Sequence, residues 1–177
     1  KTVDGEHSTN ADPGDTLHYA IKVTNNGDAA GTADVSDDIS AILAHATIGA
    51  ISDGGTLAGD VITWPQFTLD ANGGSKTLTF EVTLDSAFPV GTTTLPNTVV
   101  VVGTGSNCPA GEGDADCDTT TTVEAAPAIH AEKTVDGEHS SAAKPGDTLH
   151  YAIKVSNSGD AAGTADVSDD ISAILAH

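Results

Sequence analysis

The sequence predicts an all-β protein, an immunoglobulin-like antiparallel β-sandwich in tandem repeats of 132 residues, and three observations carry that expectation. Apolar residues recur with a period of two, as in Leu17, Tyr19, Ile21 and Val23, or Leu78, Phe80, Val82 and Leu84. Clusters of Gly, Pro, Asn and Asp interrupt these runs at short intervals, as turns between strands require. Residues 1–45 also return, without a gap, as residues 133–177, with 40 of 45 positions identical and differences only at positions 9, 10, 12, 24 and 26 of the first copy. A repeat of this length can bury its own core, so each is expected to be one domain, unlike the short units of a solenoid.

The opening strand is clearest where the repeat restarts: Ile129, Ala131, Lys133 and Val135 share the core-facing parity, and His130, Glu132 and Thr134 the other. The loop GEHSTNADPGD leads into TLHYAIKVT, with His18, Ala20, Lys22 and Thr24 alternating against the apolar set. Asn25, Asn26 and Gly27 are expected to supply the positive φ angles of a tight turn before a strand around Thr32 to Ser36, closed by Asp37 and Asp38. ISAILAHATIGAI reads as a short connection with one helical turn, then a strand over 46–51. SDGG is a turn. VITWPQFTL reads as a strand kinked at Pro65, with Trp64, the single Trp, as a core anchor. KTLTFEVTLD is a half-buried strand, TTTLPNTVVVVGT another, and TTTTV closes the domain after a cysteine-containing loop. Seven to nine strands in about 125 residues suit a sandwich; a barrel is the alternative architecture. The expected boundaries are a complete repeat over 1–124, a short Pro-containing linker over 125–131 that restricts bending, and the opening strands of the next repeat over 132–177.

The phrases PGDTLHYAIKVTNNGDA and PGDTLHYAIKVSNSGDA resemble a family of immunoglobulin-like repeats in bacterial and archaeal surface proteins, the domain of unknown function numbered eleven. ADVSDDI, VITWPQFTLDANGGSKTLTFEVTL and LPNTVVV extend the likeness, which covers almost all of one repeat and the start of the second. The cysteine loop and His18 depart from the family's pattern. The resemblance implies a sandwich fold and a place in stalks or fibres of exported or wall-attached proteins.

Charge narrows the partners. Against 26 Asp and Glu stand 6 Lys and no Arg, a formal net charge of −20, which excludes a nucleic-acid backbone as a natural partner and favours cations. No apolar run approaches the roughly 20 residues of a membrane span. The chain opens at Lys1 without an initiator Met and stops within a repeated phrase, so it is expected to be a window on a longer array, with any export signal or anchor outside it. Cys108 and Cys117, the only cysteines, lie close together in SNCPAGEGDADCDTT and are expected to form a local disulfide of an exported protein. A transition-metal site is not expected, because no His lies near them.

No nucleophile with a base, carboxylate pair or cofactor loop marks an enzyme, and no cofactor is required. The most informative constellation is Lys1, repeated as Lys133, with Asp37 and Asn97. By parity Lys1, Asp37 and Asn97 all face the core, where a lysine is costly unless paired or neutral. Some immunoglobulin-like domains of surface fibres join a first-strand Lys to a last-strand Asn as an isopeptide, and that resemblance implies Lys1 and Asn97 here, with Asp37, or alternatively Asp38, as the assisting acid; the other solution is an ordinary Lys1–Asp37 ion pair, with Asn97 bonded to a turn. Calcium is the second candidate, offered hard oxygen ligands by Asp4, Glu6, Asp12 and Asp15, by Asn25, Asn26 and Asp28, and by Glu112, Asp114, Asp116 and Asp118, although no stretch matches an EF-hand.

The expected function is structural: an extracellular tandem array on a microbial cell surface, forming a filament, fibre or stalk whose partners are copies of itself. A calcium-dependent adhesin presenting a terminal binding domain is the alternative. Residues 133–177 carry only the opening strands of a sandwich, so either following residues or strands donated by another chain must complete them.

Overall fold

The computed structural model describes residues 1–111 and 114–176, which fall into two compact units, Lys1–Ala125 and Ala126–His177. The first unit contains β1 (Thr2–Val3), β2 (Ser8–Ala11), β3 (Thr16–Asn25), β4 (Gly31–Asp38), α1 (Ser40–Leu43), β5 (Ala46–Ile51), β6 (Thr56–Ala58), β7 (Val61–Thr63), β8 (Phe67–Leu69), β9 (Gly74–Leu84), β10 (Gly91–Val102) and β11 (Asp118–Ala125). One sheet has the order β1-β3-β9-β5, and the other β2-β11-β10-β4-β7-β6, with β8 also paired to β4. Leu17, Tyr19, Ile21, Leu78, Phe80 and Val82 from the first sheet, and Val35, Ile62, Leu95, Val99 and Val123 from the second, are buried. Alternation on both inner faces is what a sandwich core requires, and the fold is an immunoglobulin-like β-sandwich.

Several local expectations change. All pairs are antiparallel except β2 with β11, which run parallel, Ser8 beside Thr120 and Ala11 beside Val123. The chain turns back at Val3–Glu6, where Asp4 and Gly5 adopt positive φ, and so leaves the first sheet to line the edge of the second. That edge strand lies within the stretch 5–15 expected to be only a loop. The kinked strand around Pro65 is instead two strands, β7 and β8, both paired with β4; proline has no N–H to continue a ladder. Such fragmentation gives eleven strands among the described residues of this unit rather than seven to nine. Asn25, Asn26 and Gly27 do not use positive φ. The Asn25 side chain makes the turn instead, donating to the Ala29 carbonyl at 2.8 Å and accepting from the Gly27 N–H at 3.0 Å. Trp64 is buried as expected, its indole N–H donating to the Ser52 carbonyl at 3.0 Å.

In the second unit β12 (Ile129–Val135) begins inside the stretch 125–131 and pairs antiparallel with β13 (Tyr151–Asn157), followed by α2 (Ser172–Leu175). The register repeats that of the first unit: Thr2 faces Ala20 and Val3 faces Tyr19, as Thr134 faces Ala152 and Val135 faces Tyr151. The burial does not repeat. Tyr19 and Ile21 are 1% and 2% exposed, whereas Tyr151 and Ile153 are 41% and 39% exposed.

Candidate functional site

The three core-facing polar residues meet between the sheets of the first unit. Lys1 precedes β1 at the edge of one sheet; Asp37 and Asn97 stand on β4 and β10 of the other. In the β4–β10 ladder Asp37 lies opposite Val99, so Asn97, two residues away on the same face, is its diagonal neighbour. The Lys1 Nζ reaches across the core to both carboxylate oxygens of Asp37, at 2.7 and 2.6 Å, and neither side chain is exposed. Asp38 has the opposite parity; its carboxylate accepts the Ser40 N–H at 3.0 Å. Asp37 is therefore the acid at the site.

Aromatic rings form the wall. Tyr19 and Phe80, opposite each other in the β3–β9 ladder, stack with centroids 4.6 Å apart, and the Lys1 Nζ lies 5.6 and 5.9 Å from the two ring centres. The apolar surroundings disfavour charge on every member. Burial pulls the Lys1 ammonium down from 10.5 to about 8, against the opposing pull of the Asp37 carboxylate. Burial pushes the Asp37 carboxyl up from 3.8 to about 6, against Lys1 and the Asn97 amide. It also pushes the Tyr19 phenol up to about 12. The gap between amine and acid narrows, so the neutral forms of both become more accessible.

Asn97 is the anomaly. Its side chain lies against the Asp37 carboxyl closely enough to influence its protonation, yet neither its Nδ2 nor its Oδ1 makes a hydrogen bond of acceptable geometry. Among the described residues only one other buried side-chain polar atom, the Thr121 Oγ1, lacks a partner. Each such orphan costs roughly 1–3 kcal/mol.

The second unit holds the start of the same site. Lys133 Nζ lies 2.7 Å from the Asp169 Oδ1 and 5.1 Å from the Tyr151 ring centre, but these side chains are 40% and 30% exposed. The repeated phrase ends at the counterpart of His45, so residues 126–177 include no counterpart of Asn97.

Cys108 and Cys117 form the expected disulfide within the connection between β10 and β11. The acidic candidates are dispersed. Asp4 accepts the His18 N–H at 3.0 Å, Asp15 the Asp12 N–H at 2.8 Å, Asp114 the Asp116 N–H at 3.1 Å, and Asp118 the Thr98 hydroxyl at 2.6 Å. Asp116 faces His7 at 3.8 Å, Glu6 is exposed, and Glu112 lies outside the described residues. Among the described residues no three His, Cys, Asp or Glu side chains gather as metal ligands. Nor is any helix among them long and apolar enough to cross a membrane.

A family described as a domain of unknown function (DUF7927) matches residues 1–123. The chain belongs to this family. The DUF7927 match thus spans the first sandwich and all three residues of the buried site. No curated protein matches the chain. Among solved structures, SSP-19, an MSP-domain protein like family member in Caenorhabditis elegans, is 16% identical, with a TM-score of 0.32 over 70% of this chain and 99% of that one. WR4, a C. elegans MSP family member, is 16% identical, with a TM-score of 0.28 over 71% of this chain and 96% of that one. Neither likeness bears on function.

Sequence parity alone finds Lys1, Asp37 and Asn97. It does not find Tyr19 and Phe80 as the wall of the site, because that requires the β3–β9 register. The signal was present as two core-parity aromatics on different strands.

Proposed function

We propose that the chain is a structural segment of a tandem array of immunoglobulin-like sandwiches forming an extracellular filament, fibre or stalk on a microbial cell surface. The observation that carries this reading is the recurrence of residues 1–45 at 133–177 with one apolar face covered in the first unit and open in the second. In the first unit β9, β10 and β11 belong to the two sheets that enclose that face. Strands of the same kind, from following residues or from another copy, are the complement the second unit fits. The disulfide suits an oxidising compartment, and the net charge of −20 keeps long neighbouring molecules apart. The likeness to surface-protein repeats noted in the sequence points the same way.

The test is surface fractionation of the source cells followed by electron microscopy with an antibody to residues 1–125. Uniform, evenly labelled filaments or stalks outside the cell are expected. Label confined to the cytoplasm, or to globular particles without a repeat, would overturn the reading. Individual stalks ending in a distinct unlabelled head would favour an adhesin instead.

A further inference from the structure

We propose that Lys1 and Asn97 join covalently, the Lys1 Nζ bonding to the Asn97 Cγ with release of ammonia, and that Asp37 is the catalytic acid and proton carrier for this self-reaction. Three observations converge on it. The amine is fixed by both oxygens of one carboxylate, at 2.6 and 2.7 Å, in a site walled by stacked rings. Asn97 lies diagonally beside that carboxylate on the neighbouring strand. Neither of its two buried polar atoms is paired, although a buried structural asparagine is as a rule hydrogen-bonded.

The step balances without an external reagent. A proton passes from the Lys1 ammonium to Asp37, giving a neutral amine and a carboxylic acid, the forms an apolar site favours. The Asp37 O–H donates to the Asn97 Oδ1 and polarises the amide carbonyl. The Nζ lone pair attacks Cγ, forming the new C–N bond and a tetrahedral centre. Asp37 then takes a proton from Nζ and delivers one to Nδ2; the Cγ–Nδ2 bond breaks and ammonia leaves. The product is a secondary amide. It removes the buried charge on Lys1 and leaves its carbonyl oxygen facing the Asp37 acid. Holding amine and amide in one rigid core replaces an intermolecular encounter by an effectively unimolecular one.

The half-site in the second unit supplies an internal control. Lys133 and Asp169 are paired, but no Asn97 counterpart accompanies them, so the 177-residue chain should lose one ammonia and not two. Intact mass spectrometry of the purified chain, measured after unfolding, is the experiment. The expected mass is below the sequence mass by one ammonia, and digestion should yield one branched peptide joining Lys1 to Asn97. Lys1→Met, Asn97→Ala and Asp37→Ala should each restore the full mass of the variant sequence. Trp64 fluorescence checks that they fold, and the near-isosteric Asp37→Asn replaces Asp37→Ala if the latter does not. A folded wild-type chain that keeps its full sequence mass after prolonged incubation overturns the proposal. So does an ammonia deficit that survives in Lys1→Met or Asn97→Ala; one that survives in a folded Asp37 variant overturns the role of Asp37. The readout is independent of whether the array is extracellular.

Discussion

The same lysine–aspartate pair occurs twice in one chain in two environments, which permits a matched measurement of what burial does to it. In an Asn97→Ala background no Lys1–Asn97 bond can form, and Lys1 and Asp37 depend on each other alone. Asp37→Ala then strands a lysine whose side chain is fully enclosed. Removing one partner of a buried pair typically costs about 3–5 kcal/mol, because the charge left behind is uncompensated. Asp169→Ala strands Lys133, which is 40% exposed and can turn to water; the expected loss is about 0–1 kcal/mol. Trp64, the only tryptophan, lies in the first unit and reports its unfolding selectively. With a urea m-value of about 2 kcal/mol/M for a domain of this size, Asp37→Ala should lower the midpoint by about 2 M. Asp169→Ala should leave the Trp64 transition in place. Equal, small shifts from the two substitutions would refute the idea that the core lysine needs its carboxylate.

Three further outcomes are expected. Replacing Cys108 and Cys117 by Ser opens a loop with a sequence separation of 9, and chain entropy predicts a loss of about 3 kcal/mol in the same Trp64-monitored urea titration. In Asn97→Ala, relative to a variant that also carries Lys1→Met and Asp37→Leu, stability should pass through a minimum between about pH 6 and pH 8. The Lys1 pKa is lower folded than unfolded, so stability rises with pH from about 8 to 10.5; the Asp37 pKa is higher folded than unfolded, so stability falls as pH rises from 3.8 to about 6. Urea midpoints across pH 4–10 check this, and a flat difference would contradict it. Finally, the open face carrying Tyr151, Ile153 and Val155 should make the 177-residue chain associate with increasing concentration in sedimentation experiments, whereas residues 1–125 remain monomeric; Ile153→Asp should reverse the association.

Strand parity was legible because a period of two assigns every residue to a face before any partner is known. That is why Leu17, Tyr19 and Ile21, and the polar Lys1, Asp37 and Asn97, can be placed inside from sequence. Pairing and register were not legible, since they depend on residues far apart in the chain. The wall formed by Tyr19 and Phe80 and the diagonal from Asp37 to Asn97 both come from register. β2 escaped notice because STNA carries no apolar alternation; it is an edge strand held by backbone bonds to β11. At Asn25 two turn chemistries compete, positive φ and side-chain capture, and the amide bonds to Ala29 and Gly27 select the second. At Pro65 the missing N–H interrupts the ladder, but whether that kinks one strand, as the sequence suggests, or separates two depends on β4, which accepts both pieces.

The position of the proposed Lys1–Asn97 bond in the topology decides what it would do under load. In a tandem array tension enters a repeat at Lys1 and leaves after β11 at Ala125. Without a cross-link the whole span can be drawn out, since only hydrogen bonds and packing oppose it; at about 3.4 Å per residue, 125 residues extend to roughly 425 Å. With the bond in place tension passes from the Lys1 backbone through its side chain to Asn97, and residues 2–96 hang from that junction as an unloaded loop. Only residues 98–125 remain in the load path, about 95 Å at full extension. Within them the disulfide closes Cys108 to Cys117, removing part of that length again. The covalent bond and the disulfide therefore act in series, on successive stretches of one path. What they leave extensible is chiefly the end of β10 from Thr98, the short link to Cys108, and β11, which must first unzip from β10 over eight residue pairs from Gly91–Ala125 to Thr98–Asp118. A repeat cross-linked there would resist extension without needing a larger core, which would offset the cost of burying a lysine at the first strand.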